Sequence, residues 1–242
     1  MIFVRALATA FFVLSAVSHS WAQIDLDAIE DAAGRSLIEH LKKSTQQCNS
    51  AFISAFNSIL FDSLISKGLI FKRPEVYIFN FSKINAFAAP SGKIVLTPAL
   101  LGALRSGDEY AGVIFHEVGH VALGHLRQFM LIEAARSLMF SSDALKGPAL
   151  FARLSFSRSQ EAEADEFAAK AMLAIGISPT NFGSALLRIS TSGNLSATSD
   201  VFSTHPLMAD RVKWLNGYQK EEKKTEHQIE LPAWRGIDLS CR

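Results

Sequence analysis

Apolar and polar positions in the first part of the chain follow a helical pattern. Between residues 25 and 67, apolar side chains recur three and four positions apart, which predicts one or two amphipathic helices. Gly68 and Pro74 interrupt this pattern, since glycine commonly follows the last residue of a helix and proline cannot continue one. The chain is therefore expected to change structure after residue 67.

A short β-rich stretch follows, from residue 75 to residue 97. Residues 76–79 and 94–96 are rich in β-branched and aromatic side chains, which favour strands. The turn sequence Pro90-Ser91-Gly92 lies between them. These signals predict a small antiparallel pair of strands.

The second half of the chain is predicted to be helical. Ser106 and Glu109 have the spacing of a capping box, in which the two side chains satisfy free N–H groups at the start of a helix. This helix should continue to about Arg136. Further helices are expected over 149–175, 181–187 and 206–215. Residues 220–242 are charged, and a loose C-terminal tail is expected there.

The composition favours one folded domain, of a mainly α class with a small antiparallel β-sheet (α+β), over residues 23–219. The chain has 242 residues, of which 49% are hydrophobic and 19% charged, so it can build a core. Lys and Arg total 24 against 23 Asp and Glu, a formal net charge of +1. Such a balance gives no field that attracts nucleic acid, and no nucleic-acid partner is expected.

Residues 1–22 have the layout of a secretory signal peptide. Arg5 precedes a largely apolar run of 12 residues, Ala6–Val17, and small residues follow before Gln23. A membrane-spanning helix needs about 20 apolar residues, so this run is short for that purpose. We expect cleavage after Ala22 and a periplasmic or otherwise exported protein. An uncleaved anchor is the alternative, and it is the only route by which membrane association is expected.

Export places the two cysteines, Cys48 and Cys241, where a disulfide can persist. Their spacing is not that of a metal-binding pair. Two possibilities stay open: one bridge that ties the C-terminal tail to the first helix, or two unpaired thiols.

The sequence HEVGH, from His116 to His120, is the strongest chemical signal in the chain. Residues four apart on a helix differ by about 40° in direction, so both imidazoles can hold one zinc ion from the same face. Glu117 is placed to take a proton from an activated water molecule. A chance pattern on a solvated face is the alternative. The neighbouring residues are mostly apolar, however, and buried His and Glu side chains need partners.

A catalytic zinc site needs a third protein ligand. His125 lies nine residues after His116 and would point away from the metal on a continuous helix, so a structural or surface role is expected. Glu161 is the better candidate, because Glu161 and Asp165 are four apart and share a helix face, whereas Glu163 points elsewhere. One carboxylate could bind the metal while the other accepts a ring N–H from a ligand histidine. A solvated acidic helix face is the alternative.

Four sequence blocks in a fixed order carry a resemblance to a known family. They are INAFAAPSGKIVLTPALL, HEVGH, SRSQEAEAD and STHPLMADR, between Ile84 and Arg211. Together they resemble the gluzincin zinc metallopeptidases that include the CAAX prenyl proteases, the HtpX-like proteases and the periplasmic BepA-like proteases. The resemblance implies a minimal soluble member with a zincin-like fold and one zinc ion between two helices. It also implies that Glu161 is the third ligand and that Asp165 supports a ligand histidine.

The resemblance implies further roles outside these helices. Asn85, Ala86 and Phe87 resemble the family's edge strand, where the substrate backbone could bind as an added strand; without the family they are an ordinary strand and turn. His205 and Arg211 match family residues near the metal. There the histidine stabilises the oxyanion or fills the fourth zinc position as a reversible plug. A surface turn and a helix-surface arginine are the alternatives.

The function expected from these features is that of a zinc-dependent metalloendopeptidase. Glu117 would act as general base, while His205 and Arg211 would steady the oxyanion. Family analogy and the signal peptide suggest a misfolded or misassembled envelope protein as substrate, and hence a role in protein quality control. A zinc-stabilised binding or chaperone module with a latent or plugged active site is the alternative.

Overall fold

The structure, a computed structural model, describes residues 25–140, 155–192, 205, 209–218, 231–234 and 237–241. The predicted signal peptide and its cleavage site lie outside these residues. Within the described ranges, no helix is both long and apolar enough to cross a membrane.

The described part of the chain contains eight helices and five short strands. The helices are α1 Leu26–Ser44, α2 Ala51–Ser66, α3 Pro98–Ala103, α4 Gly107–Ala122, α5 His125–Phe140, α6 Arg158–Ala174, α7 Thr180–Ser192 and α8 Ala209–Gly217. The strands are β1 Gln47–Asn49, β2 Glu75–Phe79, β3 Ala86–Ala89, β4 Lys93–Leu96 and β5 Ser240–Cys241. The predicted class, mainly helical with a small sheet, is confirmed.

Local capping defines where the two site helices begin. At α4 the hydroxyl of Ser106 accepts the N–H of Glu109 at 3.1 Å. The carboxylate of Glu109 accepts the N–H of Arg105 at 2.8 Å, so the glutamate half of the predicted capping box is not made with Ser106. Helix α6 does begin with a full capping box, between Ser157 and Gln160.

The sheet is mixed, with its strands in the order β3-β4-β2-β1-β5. Strands β3 and β4 form an antiparallel hairpin in which Ala86 lies opposite Leu96. Strands β2 and β4 are parallel, so the predicted antiparallel pairing of these two is wrong. The reason is that the turn at 90–92 joins β4 to β3, an alanine-rich strand that β-propensity does not reveal. Strand β2 comes before that hairpin and runs in the same direction as β4.

Helix α4 is central to the core, and most of its residues are buried. It approaches α6 closely at Gly119, where an added Cβ would lie 3.1 Å from the Cα of Ala164. At Gly112 an added Cβ would collide with Phe182 of α7. Both approaches are possible because glycine has no side chain. The HEVGH sequence is thereby brought against the helix that carries SRSQEAEAD.

The C-terminal tail packs on the core in the parts that the structure describes. The ring of Trp234 lies 5.7 Å from that of Phe56 and 5.1 Å from that of Tyr110, measured between centroids. Cys241 forms a disulfide with Cys48, and this bridge joins strand β5 to β1 rather than to the first helix. The expectation of a loose extension is wrong for these residues, because the apolar side chains of the tail reach the core.

Candidate metal centre

Four buried side chains meet where α4 packs against α6. His116 and His120 lie one turn apart on α4, and Glu161 lies in the first turn of α6. His205 approaches from the chain ahead of α8. One ligand atom of each side chain lies within 4.8 Å of the others. The first three were predicted to share a metal site, and the family resemblance implied that His205 lies near it; the structure brings all four together.

The distances between these atoms fit a tetrahedral zinc ion. The Nε2 atoms of His116 and His120 are 3.1 Å apart. Oε2 of Glu161 lies 3.5 Å from the first, and Oε1 of Glu161 lies 3.4 Å from the second. Nδ1 of His205 lies 3.3 Å from Nε2 of His116 and 2.9 Å from Oε1 of Glu161. With zinc–ligand bonds of about 2.0–2.1 Å, the ligands of a tetrahedral site lie about 3.3–3.4 Å from one another.

The chemistry of the donors also fits zinc. Imidazole nitrogen and carboxylate oxygen are the ligands that zinc takes in catalytic sites. The close approach of the Nε2 atoms of His116 and His120 is favourable only if a proton or a cation lies between them. Burial of this group without a shared cation would be costly. The residues present therefore suit one zinc ion.

The outer nitrogen of His116 lies within ion-pair distance of a carboxylate, although the contact does not have hydrogen-bond geometry. Nδ1 of His116 lies 2.9 Å from Oδ1 of Asp165. Arg211 binds the same carboxylate through two nitrogens, each at 2.7 Å, and donates a third hydrogen bond to Glu161 at 2.6 Å. Since such charge-assisted pairs are strong and directional, Arg211 fixes both carboxylates relative to the histidine.

Buried carboxylates control the protonation of the site. Burial raises the pKa of Glu161, but hydrogen bonds with three histidines outweigh it and hold the pKa well below its usual value. Burial lowers the pKa of His116, yet Asp165 and Glu161 raise it to about 9. For His120, burial dominates and lowers the pKa well below its ordinary value. In the absence of metal the site therefore keeps a proton on His116, which a cation would displace.

Glu117 is buried beside these atoms and faces a small apolar cavity. Its Oε1 lies 3.6 Å from Nε2 of His205, and its Oε2 has no hydrogen-bond partner among the described residues. An unpartnered buried carboxylate oxygen is unfavourable for stability, so packing alone does not explain its position. The cavity has a volume of about 30 Å³. Its apolar walls are formed by Leu100, Val113, Phe182, Leu186 and Ile189.

His125 lies against the metal centre, a position that the helical pattern of the sequence does not predict. Helix α4 ends at Ala122 and is followed by Leu123 and Gly124. Gly124 has a φ of 71°, which turns the chain before α5. His125 is buried against His120, with the two Nδ1 atoms 2.9 Å apart, and its Nε2 lies 3.2 Å from Oε2 of Glu163. The expectation that His125 points away from this site is wrong, because it assumed one continuous helix. Glu163 does point elsewhere than Glu161 and Asp165, as expected, since its side chain is 53% exposed and is not part of the metal group. Gly124 was the available signal, since glycine in this conformation ends helices.

The predicted substrate strand lies next to the metal centre. Strand β3 is at the end of the sheet order, and Ala86 lines the cavity beside Glu117. The backbone N–H of Asn85 donates to the hydroxyl of Thr97 at 3.0 Å, and no described residue partners its buried side-chain oxygen. The side chain of Phe87 packs on the other face of the sheet, in the cluster that contains α1 residues.

A buried His-Glu metal site between two helices, beside a small sheet whose outermost described strand is β3, is the arrangement of zincin-type metallopeptidases. The chain belongs to Peptidase family M48, which it matches over residues 57–219. This agrees with the family resemblance of the four sequence blocks, since the related members are zinc metalloproteases.

Several characterised proteins are similar to this chain. It is 34% identical over 149 residues to the mitochondrial metalloendopeptidase OMA1 of Arabidopsis thaliana, 29% identical over 150 residues to the metalloprotease LoiP of Escherichia coli, and 25% identical over 201 residues to the E. coli beta-barrel assembly-enhancing protease. These matches cover 58%, 56% and 74% of this chain. They cover 30%, 59% and 41% of the respective relatives, so the chain spans less than two thirds of each.

Proposed function

We propose that this chain is a zinc-dependent metalloendopeptidase. The observation that carries the proposal is the convergence of His116, His120 and Glu161 beside the buried carboxylate of Glu117. Membership in a peptidase family supports it. The alternative of a binding or chaperone module has no support from the relatives, which are named as proteases.

In this proposal His116, His120 and Glu161 hold one zinc ion. When bound, zinc polarises the scissile carbonyl and makes an attacking water molecule easier to deprotonate. Glu117 takes the proton from that water and then delivers it to the leaving amine. The position of Glu117 supports this role, because its carboxylate borders both the ligand histidines and the apolar cavity.

We propose that His205 fills the fourth ligand position at rest and leaves it when substrate enters. Its Nδ1 lies as close to the ligand atoms of His116 and Glu161 as two ligands of one zinc ion lie to each other. This position supports a role as a plug more directly than a contact with the oxyanion. Arg211 is expected to act differently. Its hydrogen bonds to Asp165 and Glu161 favour a role in holding the ligand carboxylate over direct contact with the oxyanion.

Substrate binding is proposed along the outer edge of β3, which pairs only with β4 among the described strands. Residues Asn85, Ala86 and Phe87 would pair with an extended substrate through backbone hydrogen bonds, which makes recognition independent of most of the substrate sequence. One side chain would enter the apolar cavity beside Glu117. Because that cavity is small and lined by aliphatic and aromatic residues, it should favour an apolar side chain.

The proposed substrates are misfolded or misassembled envelope proteins, met after export. Two observations support this: the signal-peptide layout of residues 1–22 and the similarity to a beta-barrel assembly-enhancing protease. We propose cleavage after Ala22. Membrane association would then require an uncleaved N-terminal segment, and no nucleic-acid partner is proposed.

The proposal is tested by zinc content and casein cleavage, measured on the exported protein and on Glu117→Gln. One zinc per chain is expected in both, with cleavage only by the wild type. Glu166→Gln is the matched control, because Glu166 is half-exposed on α6 and should keep both properties. Zinc without cleavage in every protein would favour the binding module, and a wild type that holds no zinc would refute the metal site.

A further inference from the structure

His120 has a second ring nitrogen, and this nitrogen meets a histidine rather than a carboxylate. The Nε2 of His120 faces the metal centre, 3.4 Å from Glu161. Its Nδ1 lies 2.9 Å from Nδ1 of His125. The other nitrogen of His125 lies 3.2 Å from Oε2 of Glu163, whose Oε1 accepts the hydroxyl of Ser159 at 2.9 Å. A continuous chain of contacts thus runs from the metal centre to the surface.

With His120 bound to zinc through Nε2, only one arrangement of protons gives every contact between His120, His125 and Glu163 a donor and an acceptor. A histidine that binds metal through Nε2 carries its proton on Nδ1, so His120 donates to Nδ1 of His125. His125 must accept there, which leaves its own proton on Nε2. That N–H in turn donates to the carboxylate of Glu163. Every polar atom in the chain then has a partner of the right kind, and none requires a second charge in the core.

We propose that His125 and Glu163 are positioning residues for His120, as Asp165 is for His116. The inference rests on the proposed function, in which His120 is a zinc ligand. A partner on the outer nitrogen fixes the ring orientation and tautomer of a ligand histidine and raises its basicity. His125 thus connects the carboxylate of Glu163, at the surface, with His120, which is fully buried.

The local structure is arranged to bring His125 to this place. The left-handed Gly124 lies between α4, which ends at Ala122, and α5, which begins at His125, so His125 turns back onto the last turn of the metal helix. Phe156 covers the pair on one side, with its ring stacked on His120 at a centroid distance of 3.7 Å. Glu163 accepts from His125 at the surface, where its side chain is 53% exposed. Simple packing would explain a buried ring at 125, but not the alignment of both its nitrogens with polar partners.

Zinc affinity separates a positioning role from a packing role. We would measure it by competition with a chromophoric chelator, together with urea unfolding of the metal-free protein. His125→Phe keeps a ring but has no acceptor, and zinc binding should weaken by about 10- to 100-fold. His125→Asn should recover most of the loss, because its side-chain oxygen can accept from Nδ1 of His120. Glu163→Gln should weaken binding less, and the matched change Glu166→Gln should leave it unchanged.

A second readout follows the ligand directly. In the cobalt-substituted protein, His125→Phe should shift the visible absorption bands, since a reoriented imidazole changes the ligand field. The proposal would be overturned if His125→Phe kept the wild-type zinc affinity and an unshifted spectrum but lowered the stability of the metal-free form. His125 would then be a packing residue. If that variant does not fold, Glu163→Gln decides the same question from the surface. A wild type without zinc would instead refute the proposed function itself.

Discussion

Replacement of His205 by alanine should increase the rate of peptide cleavage. Nδ1 of His205 contacts the carboxylate of Glu161 at 2.9 Å and lies 3.3 Å from the ring nitrogen of His116. The side chain is buried and lines the same cavity as Glu117, where the proposed mechanism puts the substrate carbonyl. If His205 is a plug, the wild type has to move this side chain before each turnover, whereas the variant begins with the position open.

The size of the effect follows from the net free energy of releasing His205. A zinc ligand that leaves is replaced by water or substrate, so we take this net free energy to be that of one hydrogen bond to a charged group, about 1.5–3 kcal/mol, and 1.4 kcal/mol corresponds to about a factor of ten. The form in which His205 has left the metal would then make up from about 8% to less than about 1% of the wild-type population. Removal of His205 should therefore raise kcat/KM by about tenfold to about a hundredfold.

The assay is kcat/KM on a fluorogenic peptide, with zinc content measured on the same samples. His40→Ala is the matched control, because it makes the same change at an exposed position of α1. A fall of about 10²- to 10³-fold in His205→Ala at full zinc content would refute the reasoning, since a loss of that size is typical of a transition-state contact. Unchanged activity would mean that His205 does not obstruct the site.

Three further outcomes are expected. Zinc must displace the proton that His116 holds below a pKa of about 9, so zinc affinity should rise about tenfold per pH unit from pH 6 to pH 8; a chelator competition series that is flat over this range would contradict it. The disulfide closes a sequence separation of 193, so Cys48→Ser with Cys241→Ser should lower the free energy of unfolding in urea by about 2–5 kcal/mol, and an unshifted midpoint would argue against it. Gly119→Ala would place a Cβ 3.1 Å from the backbone of α6 and should cost about 1–3 kcal/mol in the same assay, whereas Gly102→Ala, which meets nothing within 4 Å, should cost nothing.

The sequence predicted those parts of the metal centre in which the spacing of residues along a helix decides which way their side chains point. His116 and His120 had to share a face, and the missing third ligand gave weight to Glu161 on the next helix. The structure brings all three together. The position of His205 depended on the family resemblance, because a lone histidine before a proline carries no local signal of its own.

Features that depend on distant contacts or on a single backbone angle were harder to predict. The helix pattern ran through Gly124, so His125 was placed on the wrong side of the metal helix. Strand β3 has alanines at three of its four positions, and side-chain preference could not reveal it. The tail is anchored by Trp234 through contacts with helices more than a hundred residues earlier, which no local pattern records.

X-ray absorption at the zinc edge of the exported protein tests the central claim most directly, since it identifies the atoms around the metal. The account predicts one zinc per chain with four nitrogen or oxygen ligands at about 2.0–2.1 Å, three of them imidazoles in the wild type and two in His205→Ala. A sulfur ligand at about 2.3 Å, or a protein purified after export that holds no zinc, would contradict it.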